Sequence, residues 1–347
     1  MNDILNMHDF EARARQVLDA GALAYLDGGA LDEITLAENV ASWRRRRFRP
    51  RVLRDVSAVD ATTTLLGRHV QMPIGIAPTA QHRLFHPDAE LATARAAADA
   101  GVVFTASTAS SLPMEEIAVA GGSRWFQLYI QRDQAVSAGL VNRAVAAGYE
   151  ALVVTVDLPV MGRRERDLRP GFAPPQHDYG NLNASAHGDN LEATLGRLVD
   201  PGITWDDIAR LRRETPLPVV LKGILTGEDA ELAVECGAAA VWVSNHGARQ
   251  LDRTPAPLDV LEEVVAAVRG RAEVYVDGGA RRGADAAIAL ALGADAVFLG
   301  RPLIYALAVS GEDGVRQALS LLHAEFVSAM SLLGAATVAD ITRQMVV

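Results

Sequence analysis

Residues 273–301 read EVYVDGGARRGADAAIALALGADAVFLGR. Two short apolar runs, 273–276 and 296–299, flank an alanine-rich stretch, 284–292, whose apolar residues recur at helical spacing and which stops at Gly293. This is a strand-helix-strand unit, and its strands show little polar alternation, as expected when parallel strands are covered on both faces. Six more runs of this kind precede it, at 74–77, 102–106, 125–130, 151–156, 219–222 and 240–244. The stretches 88–100, 137–147, 229–236 and 258–268 between them carry apolar residues at helical spacing, with further glycine stops at Gly101 and Gly237. Eight units suggest an α/β fold, a (β/α)8 TIM barrel, rather than a doubly wound sheet, because eight regular repeats in about 230 residues fit barrel closure better.

The length of 347 residues alone permits two domains or one barrel; the repeat favours a single barrel domain over 1–347. Its surplus length falls in two places. From 151 to 219 the chain runs far longer than between other strands, and the excess, 162–201, is rich in Gly, Pro, Asn, Asp and His. Long loops of this kind are usually lids or disordered segments, so we expect a lid over the barrel mouth. Residues 1–70 are expected to form an N-terminal cap on one barrel end, with candidate helices at 7–26 and 32–43.

Half the residues are hydrophobic, yet no wholly apolar stretch approaches the ~20 needed to span a bilayer. A net charge of -10 argues against general affinity for nucleic acid or anionic membranes. The arginine run 44–47, with Arg49, Arg51 and Arg54, lacks interleaved aromatics and reads as a solvated or interface surface. The single cysteine, Cys236, allows no intrachain disulfide, and the acidic start lacks a secretory layout, so the cytoplasm is the expected compartment. His82 and His86 have i,i+4 spacing, but Pro87 follows and no glutamate completes a zinc motif; no metal is expected.

Barrel chemistry sits at the carboxyl ends of the strands. There the sequence delivers Pro78-Thr79-Ala80, Ser107-Thr108, Gln127 and Tyr129, Thr155 and Asp157, Lys222, Ser244-Asn245-His246, Asp277-Gly278-Gly279 and Gly300-Arg301. Ionisable groups at the ends of apolar strands are costly to bury without partners, so together they describe a site. After the last two strands, Asp277–Gly283 (DGGARRG) and Gly300-Arg301 resemble a phosphate cradle: glycine backbone N–H groups and a helix amino terminus favour an anion, and Arg281 and Arg301 can fork onto its oxygens. His246 can act as a base near neutral pH, Arg249 lies near enough to bind a carboxylate, and Asp157 can hold the imidazole and favour its protonated form.

At these residues the chain resembles the FMN-dependent α-hydroxy acid oxidase/dehydrogenase family. The resemblance runs from about Tyr25 to the C-terminus through YLDGGALDEITLAEN (25–39), APTA (77–80), WFQLYI (125–130), TVDLPVMGRRERD (155–167), LKGI (221–224), SNHGARQLD (244–252), VDGGARRG (276–283) and LGRP (299–302). It implies a TIM barrel with a long loop after the fourth strand, FMN as cofactor, and a homo-oligomer, often a tetramer. Carried over, Pro78, Thr79 and Ala80 face the reactive edge of the flavin. Ser107, Gln127, Thr155 and Lys222 bond its ring and ribityl chain, with Ser244 nearby. Asp277, Gly278, Gly279, Ala280, Arg281, Gly300 and Arg301 hold ribityl and phosphate. His246 takes the substrate proton while Asp157 stabilises the imidazolium. Arg249 and Arg164 bind the carboxylate with help from Tyr25, and Tyr129 sits beside the hydroxyl. The implied reaction converts a 2-hydroxy acid to the 2-keto acid, by a hydride or a carbanion route through the same groups.

Two departures bear on specificity. Family members acting on small acids commonly carry tryptophan after the second strand, where this chain has Thr108-Ala109-Ser110. The lost bulk suggests an aryl substrate such as mandelate or 4-hydroxymandelate over lactate or glycolate. Around residues 177–181 (HDYGN) the insertion is polar rather than an apolar membrane anchor, so molecular oxygen, giving hydrogen peroxide, is the simpler electron acceptor; another soluble acceptor is the alternative. A non-redox phosphate-binding barrel, an isomerase or binding protein, is the reading from a different class.

Overall fold

In a computed structural model of the chain, which describes residues 3–169, 179–182 and 196–347, eight parallel strands close into a barrel. They are β1 (Ile74–Ile76), β2 (Phe104–Ser107), β3 (Arg124–Leu128), β4 (Ala151–Thr155), β5 (Val219–Ile224), β6 (Ala240–Val243), β7 (Glu273–Val276) and β8 (Ala296–Leu299). Closure is made by β8 on β1, with Val297 opposite Ile74 and Leu299 opposite Ile76. Strand ends move by up to two residues from the sequence reading; β2, for example, starts at Phe104 rather than 102.

The barrel interior explains both the fold and the site. Val103, Trp125, Val153, Val220, Trp242, Tyr275 and Phe298 form one interior cluster, and side chains alternate across a strand with a period of two. Two residues further on, therefore, each column presents Thr105, Gln127, Thr155, Lys222, Ser244, Asp277 or Gly300. A dry aromatic layer thus supports a polar one. The layer is tightly packed: the Trp242 and Phe298 rings are 4.1 Å apart, and Trp125 and Tyr275 5.4 Å. A hairpin, Thr63–Leu65 with Arg68–Val70, closes the opposite end, placing Leu65 and Val70 in the same cluster while Leu66 N–H donates to Glu273 at 2.8 Å.

The N-terminal cap differs from the sequence reading. The stretch 7–26 is two helices, Met7–Val17 and Ala20–Asp27, because the Asp19 carboxylate accepts the Ala22 N–H at 2.8 Å and starts a new helix. Met7–Val17 packs along the flank helix Arg301–Leu333. Ala20–Asp27 and the helix Ile34–Arg45 reach the site end, where Tyr25 lines the cleft and Asn39 bonds Asn245.

Much of the insertion expected as a lid, and the polar residues His177 and Asp178 in it, lie outside the described residues. Its described parts dock on the barrel: Gln131 and Val199 form an antiparallel bridge, and Tyr179, Asn181 and Leu182 are buried. Asn181 donates to Ser107 O and Ser110 Oγ and accepts the Met114 N–H, so it clasps the loop after β2. Among the described residues no helix is long and apolar enough to cross a membrane, and no cluster of metal-ligating side chains occurs.

Candidate active site

The carboxyl ends of the strands open into a cleft lined by Tyr25, Ala77–Ala80, Ser107, Ala109, Tyr129, Thr155, Leu158, Met161, Arg164, Lys222, His246, Arg249, residues 277–281 and residues 298–302. Of the residues expected at the site, all but Gln127, Ser244 and Asp157 line it; Gln127 and Ser244 brace the lining from behind, and Asp157 holds His246. The Gln127 amide accepts from Ser107 Oγ and Thr108 N–H and donates to Thr155 Oγ1, so one side chain sets three rim positions. Ser244 accepts from Lys222 Nζ at 2.8 Å and from His246 N–H at 3.1 Å.

His246 and Asp157 form the centre. Nδ1 of His246 lies 2.9 Å from Asp157 Oδ1, leaving Nε2 toward the cleft, 3.4 Å from the Tyr129 hydroxyl. Burial alone would raise the Asp157 carboxyl, but the His246 imidazole and the Lys222 ammonium outweigh it and hold it below the ordinary value. Tyr129 is pushed up by burial and by the Asp157 charge, so its hydroxyl stays protonated. Gly223, with a left-handed φ of +113°, lets Asp157 in: a Cβ there would fall 2.6 Å from the Asp157 Cβ.

The histidine stands on a strained turn. His246 and Ala248 both have left-handed φ, 58° and 62°, a conformation that costs a non-glycine residue about 1–3 kcal/mol and persists only where surroundings over-determine it. Here Asn245 supplies the restraint, its Oδ1 accepting the Ala248 N–H at 3.0 Å while its amide exchanges bonds with Asn39 at 2.9 and 2.7 Å. Sequence reading gave neither asparagine a role, although both stand in the quoted motifs.

Two groups of cations share the rim. Arg249 faces Arg164, and burial together with the Arg164 charge pulls its guanidinium below the ordinary value, against Tyr25 and Asp167. Arg301 is pushed down to about 10 by burial and by the charges of Arg249 and Arg281. Buried like charges gathered at one mouth are stabilised by anions.

The cradle departs from expectation in two details. Arg301 does not present an open fork: it donates to the carbonyls of Leu26, Gly247 and Gly28 at 2.7, 2.9 and 2.8 Å, fixing the N-terminal cap to the rim. Gly279, at φ +91°, is required by packing as well as by ligand approach, since a Cβ would lie 2.0 Å from the Asn39 carbonyl oxygen. Asp277 pairs with Lys222 at 3.2 Å and accepts from Trp242 Nε1 through the same oxygen, which leaves its buried Oδ1 without a partner among the described residues.

An imidazole held by a carboxylate, with arginines gathered on both sides of it at the strand ends, marks a barrel with an enzyme-like site. The chain belongs to the FMN-dependent dehydrogenase family, which matches residues 14–347. It is 46% identical over 357 residues to glycolate oxidase 1 of Zea mays, covering 100% of this chain and 96% of the maize protein. It is 48% identical over 351 residues to an L-lactate oxidase of Nostoc sp., covering 97% and 96%. Among solved structures it resembles mandelate oxidase with (S)-4-hydroxymandelic acid, with a TM-score of 0.96, 45% identity and coverage of 99% and 98%. It is thus an FMN-dependent 2-hydroxy acid oxidase. The donor set fits that cofactor: the part-buried, mutually repelling Arg281 and Arg301 suit its phosphate, and the orphaned Asp277 Oδ1 suits a hydroxyl.

Proposed function

We propose that this chain oxidises an aryl 2-hydroxy acid of the mandelate type to the 2-keto acid, with molecular oxygen as electron acceptor and hydrogen peroxide as product. The observation that carries the aryl preference is Ala109. Thr108 and Ser110 turn their hydroxyls to backbone carbonyls, donating to Gln127 O on β3 and to Leu112 O, so only the Ala109 methyl reaches the cleft from this loop segment. Leu158, Met161 and Ala80 extend an apolar lining there. Overall identity to glycolate, lactate and mandelate oxidases is nearly equal, so the wall of the cleft has to discriminate.

Bound FMN supplies a two-electron acceptor for the hydrogen on the substrate's α-carbon. Pro78–Ala80, Ser107, Thr155 and Lys222 would hold its ring side, with Gln127 and Ser244 bracing them. Asp277–Arg281 and Gly300 would hold ribityl and phosphate, and Arg301 would add charge while clamping the cap. The chain's own work lies around His246. Arg164 and Arg249 bind the carboxylate and fix the acid in one orientation. His246 Nε2 takes the hydroxyl proton, and the Asp157 carboxylate stabilises the imidazolium that forms. The Tyr129 hydroxyl, kept protonated, bonds the substrate oxygen. Tyr25 closes the carboxylate side, its ring under the Arg249 guanidinium at 4.7 Å. The insertion after β4 serves as a lid, and the chain assembles as a homo-oligomer. The test is a panel of lactate, glycolate, mandelate and 4-hydroxymandelate assayed in air with peroxide detection; faster turnover of lactate than of mandelate overturns the aryl reading.

A further inference from the structure

Beside the substrate arginines lies a carboxylate to which neither the sequence motifs nor the reaction assigns a part. Asp167 sits on the short helix Glu165–Leu168, immediately after Arg164, and is 9% exposed. Its Oδ2 accepts from Arg164 Nε at 2.9 Å and stands 3.9 Å from an Arg249 terminal nitrogen. Arg164 is itself only 3% exposed. Two guanidiniums converging on one carboxylate repel one another; burial first and the Arg164 charge second lower Arg249, and Asp167 is among the charges that oppose this. The N-terminal cap closes over the group: a Cβ on Gly28 would lie 3.0 Å from Asp167 Oδ1, and the Gly28 carbonyl accepts from Arg249 at 3.0 Å and from Arg301 at 2.8 Å.

We propose that Asp167 is a positioning residue for carboxylate recognition, the fixed counter-charge that holds Arg164 and Arg249 convergent. It bonds Arg164 through Nε, at the stem of the guanidinium, so it sets the plane of the fork while compensating part of the paired positive charge. Without it, the two arginines separate and the site loses its fit to a planar carboxylate. Asp167 does not touch the reacting atoms, so its loss weakens binding of the acid and leaves the proton transfer at His246 intact. The inference rests on the reading of Arg164 and Arg249 as carboxylate ligands given above.

The test compares wild type, Asp167→Ala and Asp167→Asn as FMN-bound enzymes by anaerobic flavin reduction, using a 2-hydroxy acid and its uncharged amide. For the acid, Asp167→Ala should raise the half-saturating concentration about tenfold or more with the limiting reduction rate within about threefold, the pattern of lost uniform binding. Kinetics with the amide should be unchanged, and Asp167→Asn, which keeps an acceptor for Arg164 Nε, should lose less. Equal losses for acid and amide, unchanged half-saturation, or tighter binding of the acid would overturn the proposal. If Asp167→Ala fails to retain FMN, Asp167→Asn against wild type carries the same comparison, a weaker grip on the acid alone being the expected result. Oxalate binding, read as a perturbation of the flavin spectrum, separates the two claims. If wild type is reduced by no hydroxy acid, the oxidase reading fails, while weaker oxalate binding in the variants still supports the role of Asp167 and unaltered binding still refutes it.

Discussion

His246 Nδ1 and Asp157 Oδ1 stand 2.9 Å apart across the barrel mouth, joining the exit of β6 to the exit of β4. The contact fixes which imidazole nitrogen faces the cleft and places a carboxylate beside the ring that is proposed to take the substrate proton. Asp157→Asn keeps the shape and removes the charge. Flavin reduction by substrate should fall by about 10²–10⁴, the usual worth of the general-base catalysis at His246 that Asp157 supports, with FMN content unchanged. Stopped-flow absorbance under anaerobic conditions measures this; reduction at near wild-type speed would take Asp157 out of the mechanism.

The same carboxylate makes a prediction about acid stability. Asp157 is held below its ordinary value, so it binds fewer protons folded than unfolded. The stability it contributes is therefore complete above the unfolded carboxylate value, about 3.9, and is lost as pH falls through the depressed folded value. The difference in urea-unfolding free energy between wild type and Asp157→Asn should hold steady down to about pH 5 and narrow only below about pH 4. A difference that already narrows near neutrality would assign the effect to another group.

Ala109 tests specificity directly. Ala109→Trp restores bulk at the wall of the cleft, so turnover of mandelate should drop by about tenfold or more relative to lactate, the scale of discrimination by apolar packing. Relative kcat/KM for the two acids reads this out. An unchanged ratio would place the aryl ring elsewhere.

The amide exchange between Asn39 and Asn245 is expected to hold the His246 turn in its strained conformation. Asn39→Ala leaves buried amide groups short of partners, which costs about 1–3 kcal/mol, measurable by chemical denaturation. Reduction by substrate should slow with it. Phe298→Ala, by contrast, removes a ring from the aromatic layer packed against Trp125, Trp242 and Tyr275 and should cost about 3–5 kcal/mol. A loss below about 1 kcal/mol would show that the layer repacks.

The barrel was readable because strands buried on both faces concentrate Val, Ile, Leu and aromatics. The rim was readable because the polar residue follows the last inward apolar one by two positions, as Lys222 follows Val220 and Asp277 follows Tyr275. What the sequence hides depends on partners distant along the chain. Asp19 continues a helical pattern and reveals itself as a cap only through its bond to Ala22. Asn39 meets Asn245 across 206 residues. The Arg301 fork turns to backbone carbonyls that residue type cannot announce. Asp167 stands in a motif yet takes its meaning from Arg249, on another loop.

His246, Arg164 and Arg249 are proposed to present a 2-hydroxy acid to FMN at this rim. Anaerobic mixing of the FMN-bound protein with (S)-mandelate, with the flavin spectrum followed, tests this. Loss of oxidised-flavin absorbance in wild type, abolished or strongly slowed in His246→Ala with FMN retained, is the expected result. A flavin that stays oxidised with mandelate and every other 2-hydroxy acid, or a His246→Ala protein reduced as fast as wild type, would contradict it.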